Sequence, residues 1–138
     1  MKNKVLCMLF VMTTIFLTGC NNTKQMTCVQ NSDIMSTQII TVFKNDKLDS
    51  MKVIYSYDIS EYSDDNKAEI VKQDFCKILE NSNNDYKGSF LDCNQDIKDN
   101  SLIVTANMDV NEQKKNGVNS YDNLKKELIN SGAKCDDY

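Results

Sequence analysis

Between Leu102 and Val110 every second residue is apolar: Leu102, Val104, Ala106, Met108 and Val110 share one side, opposite Ile103, Thr105, Asn107 and Asp109. Leu48 to Asp58 repeats that period, with Met51, Val53, Tyr55 and Tyr57 opposed to Ser50, Lys52 and Ser56, and only Ile54 out of phase. Alternation of this kind belongs to strands with one buried and one wet face, and such strands pair antiparallel. The chain must therefore build a sheet with one apolar side, and another layer has to cover it.

Two stretches of helical period supply that layer. Ala68, Val71, Phe75, Ile78 and Leu79 fall on one stripe of a helix expected from Asp64 or Asp65 to about Glu80. Tyr121, Leu124 and Leu128 do the same between about Ser120 and Asn130, with Ser131-Gly132 as the stop. Thr27 to Gln30 reads as a short first strand, Asn31 to Ser36 as a turn and Thr37 to Phe43 as a second strand. Asn45-Asp46 and Lys98-Asp99-Asn100 carry turn chemistry, Ser89 to Cys93 reads as a short strand, and Asn111 to Gly117 as a polar loop. The expected fold class is α+β in two layers, a small antiparallel sheet covered by two helices in the order β-ββ-α-ββ-α.

The amino-terminal stretch is of a different kind. Lys2 and Lys4 precede Val5 to Leu17, which is apolar apart from Thr13 and Thr14, and small Gly19 precedes Cys20. This is the order of an export signal, and its apolar part falls short of the roughly 20 residues a membrane span needs. Leu17-Thr18-Gly19-Cys20 resembles the lipobox of bacterial lipoproteins. That resemblance implies cleavage before Cys20 and a diacylglyceryl thioether on its sulfur. Two or three acyl chains, at about 0.8 kcal/mol per buried CH₂, anchor stably where one is marginal. An uncleaved anchor is the alternative for which the stretch is short, and a plain secretory signal leaves Cys20 at the cut without a role. The expected organisation is a signal peptide over 1–19, a lipidated cysteine and tether over 20–26, and a single domain over 27–138. The tether would reach at most about 24 Å, and the expected location is the extracytoplasmic face of the cell membrane.

Charge narrows the partners. Beyond residue 19 the chain carries fourteen lysines against twenty acids, a net of −6. That balance argues against nucleic acid as a partner and against adhesion to anionic lipid by charge. There is no arginine to clamp a phosphate, and no histidine for a Ser-His-Asp or Cys-His triad or for ordinary zinc ligation. Proline and tryptophan are absent as well, while asparagine and lysine abound, which fits an AT-rich genome of the low-GC Gram-positive kind.

Six cysteines are present. Cys7 leaves with the signal and Cys20 takes the lipid, so Cys28, Cys76, Cys93 and Cys135 remain. An even set in a small exported domain implies disulfides, and four cysteines allow three connectivities. Their positions favour Cys28 with Cys135, tying the two ends of the domain, and Cys76 with Cys93, stapling a helix to the next strand. A redox pair or a metal site is the functional alternative. Spacings of 48, 17 and 42 contain no C-x-x-C and none of the close pairs of a zinc site.

The lipobox, the short tether, the Phe43-Lys44-Asn45-Asp46-Lys47 hairpin, and the helix, strand pair and closing helix that follow are together similar to the YehR-like small bacterial lipoproteins. The resemblance covers most of the mature chain. It implies a compact α+β domain at the membrane and assigns no catalytic residue.

Other candidate chemistry is sparse. Asp92-Cys93-Asn94-Gln95-Asp96 begins like a calcium loop but has Ile97 where glycine is needed and Ile103 where glutamate is needed. Asp64-Asp65 suits a helix start and Asp136-Asp137 a chain end. Tyr55, Tyr57, Tyr62, Tyr86, Tyr121 and Tyr138 could line a glycan or peptide groove, although strand aromatics more often pack a core. Of the glutamates only Glu61 falls near a strand end, with no partner for two-carboxylate hydrolysis. No cofactor or metal is expected. The reading is a non-enzymatic, lipid-anchored binding domain of the cell envelope, partnered by the membrane and an envelope protein, with edge strands as the contact surface. The alternatives are an extracytoplasmic thiol-disulfide protein using Cys76 and Cys93, and a small-molecule carrier.

Overall fold

The computed structural model describes residues 22–82 and 89–138. Along the chain it runs β1 (Thr23–Asn31), β2 (Met35–Lys44), β3 (Lys47–Asp58), α1 (Asp64–Lys72), α2 (Phe75–Ser82), β4 (Phe90–Lys98), β5 (Ser101–Met108), α3 (Val110–Lys115), α4 (Tyr121–Asn130) and β6 (Lys134–Asp137). All strand pairs are antiparallel, in the lateral order β4-β5-β3-β2-β1-β6. The signal segment and Cys20 lie outside the described residues.

This corrects the expectation of a small sheet under two helices. The described residues are dominated by a six-stranded sheet, and the helices among them are four and short. Four local causes account for the difference. The strand expected from Thr27 already begins at Thr23, because β1 pairs with β2 along its full length from Thr23↔Lys44 to Asn31↔Ser36. Thr23 to Met26 are thus strand rather than tether. After Gly132 turns the chain with φ +96°, Lys134–Asp137 adds a sixth strand against β1, with Cys135 opposite Cys28. Val110 to Lys115, read as the end of a strand and a polar loop, is a helix, because the Asp109 carboxylate accepts from Asn111 N–H at 2.8 Å and caps it.

The single helix expected between Asp64 and Glu80 is broken. Gln73 adopts an extended backbone and α2 restarts at Phe75. The break strands backbone groups that a continuous helix would pair, and Gln95 on β4 satisfies them. Its Nε2 donates to the Gln73 carbonyl at 2.8 Å and its Oε1 accepts from Phe75 N–H at 2.8 Å. Asp74 then caps α2 by accepting from Lys77 N–H at 3.0 Å. Val71, on the expected apolar stripe, is 53% exposed.

The β2–β3 and β4–β5 hairpin loops each have two residues with left-handed backbone. Asn45 and Asp46 have φ of +51° and +61°, Asp99 and Asn100 of +52° and +60°. This is the type I′ geometry that matches strand twist, at residue types that tolerate it.

One face of the sheet is covered. Tyr121 and Leu124 of α4 pack on Met26, Cys28 and Phe43, while Ile70, Phe75 and Leu79 of α1 and α2 pack near Ile59, Leu102 and Val104. Val53, Ala106 and Met108 lie between these clusters. The other face carries Gln38, Ile54 and Thr105 in one cross-strand row and Thr27 and Ile40 in the next, all half-buried. Ile54 breaks the alternation because it joins Ile40 on that mixed face.

The covered face is crossed by two disulfides. Cys28 bonds to Cys135 directly across the β1–β6 ladder, with Cα atoms 4.0 Å apart, and Cys76 of α2 bonds to Cys93 of β4, with Cα atoms 5.8 Å apart.

Candidate functional site

The antiparallel order gives the sheet two unlike ends. At one end lie Asn22, whose carbonyl accepts from Asn45 N–H at 2.9 Å, and the 45–46 turn. At the other end lie the turn between β1 and β2, the exit of β3 and the 99–100 turn. β3 alone spans twelve residues, so these ends stand about 35 Å apart.

The far end is cross-tied by its own backbone. Asp58 N–H donates to the Ile34 carbonyl at 3.2 Å, and Ile59 N–H donates to the Asn100 carbonyl at 2.9 Å. Ile59 is thereby buried beside Leu102, and the chain leaves β3 through Ser60 to Ser63 before α1 begins. These segments enclose a cleft of about 560 Å³, within the range of ligand sites. Its floor is Ile59 and Leu102; Tyr57, Ile70 and Phe75 form one wall, with the Tyr57 and Phe75 rings 6.2 Å apart. Ile34 and Tyr62, 71% and 50% exposed, stand at its lips. For apolar side chains not otherwise needed in the core, such exposure beside a concavity marks a contact surface.

Three carboxylates, Asp33, Asp58 and Glu61, also line the cleft, and among the described residues no lysine does. Hydrogen bonds from the Ser60 hydroxyl and then from its backbone N–H, the latter 2.8 Å from Oδ1, hold the Asp58 carboxyl below its usual range. Asp58 is thus a fixed negative charge at neutral pH and a poor proton donor. Burial raises the Tyr57 phenol above its ordinary value, so that ring stays neutral. The arrangement suits a ligand with an apolar body and a positive charge.

The structure sorts the residues singled out from the sequence. Of the six tyrosines, Tyr57 and Tyr62 come together in the cleft. Tyr121 is buried against Phe43, Tyr55 sits on the covered face, Tyr138 is exposed at the chain end, and Tyr86 lies outside the described residues. Glu61 does lie at a strand exit and meets Asp58 there. Asp92 to Asp96 is strand rather than loop, which sends alternate side chains to opposite faces and rules out a calcium-loop geometry. Asp64 and Asp65 occupy the first turn of α1, and Asp137 accepts from the Tyr121 hydroxyl at 2.5 Å and from Lys125. Among the described residues no group of three acids or cysteines is placed to hold a metal. Asp33, Ile34 and Asp58 went unnoticed because each is local turn chemistry; only the pairing of β1, β2 and β3 joins them.

The edge strands are poor docking edges. β4 carries a bulge at Leu91 and the charges of Asp92, Asp96 and Lys98, and β6 has four residues. Bulges, charges and shortness are the means by which sheet edges avoid pairing.

No family model matches the chain, and no curated protein matches it. Among solved structures, the fold is similar to the NMR structure of a protein from Streptococcus pneumoniae TIGR4, at 13% identity and a TM-score of 0.52, over 86% of this chain and 87% of that one. At that identity the likeness concerns the fold alone.

Proposed function

We propose that this chain is a lipid-anchored, extracytoplasmic, non-enzymatic binding domain that presents its far-end cleft to another component of the cell envelope. The observation that carries this reading is the separation of the cleft from the amino-terminal end of β1. Cys20 precedes Asn22 by two residues, so an acylated sulfur there would hold the 45–46 turn close to the bilayer. The cleft, about 35 Å up the sheet, would then face outward. With strand beginning at Thr23, almost no tether remains, and the sheet itself acts as the spacer. Two disulfides in a small domain fit an oxidising compartment. The fixed charge on Asp58 favours holding a cation over donating a proton. The likeness to the YehR-like lipoproteins, carried by the lipobox and the 43–47 hairpin, agrees with the location.

Two measurements test this. Intact mass of the membrane-extracted protein should show loss of residues 1–19, an added diacylglyceryl group, and two hydrogens gained per bridge on reduction. Recovery of the unprocessed chain from the cytosol would overturn the location. Photo-crosslinkers placed in intact cells at Ile34 and at Asp46 should differ, the first capturing a defined envelope component and the second none. Equal yields, or none from Ile34, would overturn the binding role.

One feature favours a second reading. Cys76 stands in the first turn of α2, where the helix terminus favours a thiolate, as a thiol-disulfide protein requires. Trapping in cells separates the two: a reduced Cys76–Cys93 fraction supports exchange, and permanent oxidation excludes it.

A further inference from the structure

On the other side of the sheet's end from the cleft, beside Ser36 and Ser56, lies a shallower depression of about 430 Å³, and the two share Asp33, Ile34 and Asp58. The first is walled by aromatic and aliphatic side chains. The second is lined mainly by hydroxyl and amide groups, among them Ser32, Ser60 and Asn100, and adds Asp99. Four carboxylates thus line the joined groove and, among the described residues, no ammonium does. Lys67 is held at the rim by donating to Asn100 Oδ1 at 3.1 Å.

We propose that this groove takes an extended peptide segment in which lysine or arginine alternates with apolar residues. The inference deepens the binding role proposed above and rests on it for the location of the partner. Three observations converge. Two depressions of about 560 and 430 Å³ that meet at Asp33, Ile34 and Asp58 exceed what one small amine would fill. An extended peptide presents successive side chains to opposite sides, so an apolar residue can enter the Tyr57–Phe75 wall while its neighbour's cation meets Asp58 or Asp33. The hydroxyl and amide groups of the shallow part suit peptide N–H and C=O groups, which lose water on docking and need partners. An acidic peptide, a nucleic acid or an anionic lipid surface would meet like charge at Asp33, Asp58, Glu61 and Asp99.

The full-length chain, purified in nonionic micelles, tests this by fluorescence anisotropy with two labelled hexapeptides, one alternating lysine with leucine and one glutamate with leucine. The lysine peptide should bind at least about tenfold more tightly, and the difference should shrink as salt is raised. Asp33→Asn with Asp58→Asn should weaken it about tenfold, whereas Asp46→Asn with Asp136→Asn, the same change in net charge away from the groove, should weaken it less than about threefold. Asp58→Asn keeps the Oδ1 acceptor for Ser60. Should that variant melt early, Asp33→Asn with Glu61→Gln takes its place. Equal loss in both pairs of variants would mean diffuse attraction and overturn the proposal. So would equal binding of the two peptides, or displacement of the lysine peptide by hexylamine at matched concentration, which would point to a small-cation pocket. The mass of the same preparation reports the anchor independently, so an acylated protein that ignores the peptide fails the groove alone.

Discussion

The covered face of this sheet is built in two halves that use the same means to different ends. Over β1, β2 and β6, α4 seats Tyr121 and Leu124 on side chains that are fully buried, and the Phe43 and Tyr121 rings meet edge to face at 5.5 Å. Over β5 and β4, α1 contributes no buried residue, α2 lays half-buried Phe75 and Leu79 beside Leu102, and the cleft opens next to them. Each half has one disulfide. In the first it links neighbouring strands that are 107 residues apart in sequence; in the second it ties a helix to a strand 17 residues on. The first half fixes the fold. The second leaves apolar side chains only partly covered, as a recognition surface requires, and relies on a staple and a side-chain cap to hold its helices.

The bridges should show the largest contrast. Loop-closure entropy assigns about 5 kcal/mol to the long loop and about 3 kcal/mol to the short one. Paired alanine variants of Cys28 with Cys135 and of Cys76 with Cys93, compared by urea unfolding, should differ in that order, and only the second should leave α4 protected from hydrogen exchange. A reversed order would mean that the helices over the cleft hold the fold. The aromatic anchors come next. Phe43→Ala removes a fully buried ring and should cost about 4 kcal/mol, whereas Phe75→Ala, at a half-buried site, should cost about 2 kcal/mol or less. Equal losses would erase the distinction between a closed and an open half.

That contrast also explains what could be read in the sequence. The 45–46 and 99–100 turns, the alternation of β3 and β5, and the extent of α4 were legible because local period and turn chemistry agreed with tertiary placement. The break at Gln73 was not, because Val71 keeps the helical stripe in phase and the group that stabilises the break, Gln95, lies on another element. β6 was hidden because four residues carry little period and its pairing depends on β1. Asp109, which caps α3, continued the alternation of β5 and so disguised a helix start. The cleft was illegible for the same reason: Ile34 and Tyr62 belong to two different connections and Asp58 to the end of β3, and only the strand register brings those together.

Gln95 sharpens the comparison at a smaller scale. Gln95→Ala removes the acceptor of Phe75 N–H and the donor to Gln73 O, and should cost about 2 kcal/mol. The loss should be local. Hydrogen exchange should quicken in α1 and α2 while α4 is unchanged, and an even rise throughout would show that the halves unfold as one. On the other side, Thr41 is wholly buried and its Oγ1 has no hydrogen-bond partner among the described residues. Thr41→Val should therefore raise stability by about 1 kcal/mol, read from the urea midpoint.

The smallest contrast is in pH. Burial, and after it the hydrogen bond to the Asp137 carboxylate, push the Tyr121 phenol up to about 12, with Lys24 over the ring at 4.9 Å and Lys125 on the same carboxylate. An unfolded tyrosine ionises near 10. The folded state thus holds its proton where the unfolded state releases it, so this contribution is complete below pH 10 and is lost as pH rises towards 12. Tyr121→Phe keeps the ring against Phe43 and removes the titrating group. Its urea midpoint should lie below that of the parent at pH 8, with the gap closing between pH 10 and 12. Tyr57, half-buried at the cleft and raised by burial, should give the same signature more weakly on Tyr57→Phe. Parallel midpoint curves for Tyr121→Phe and parent would mean that its hydroxyl is solvated, and that the first half is no more closed than the second.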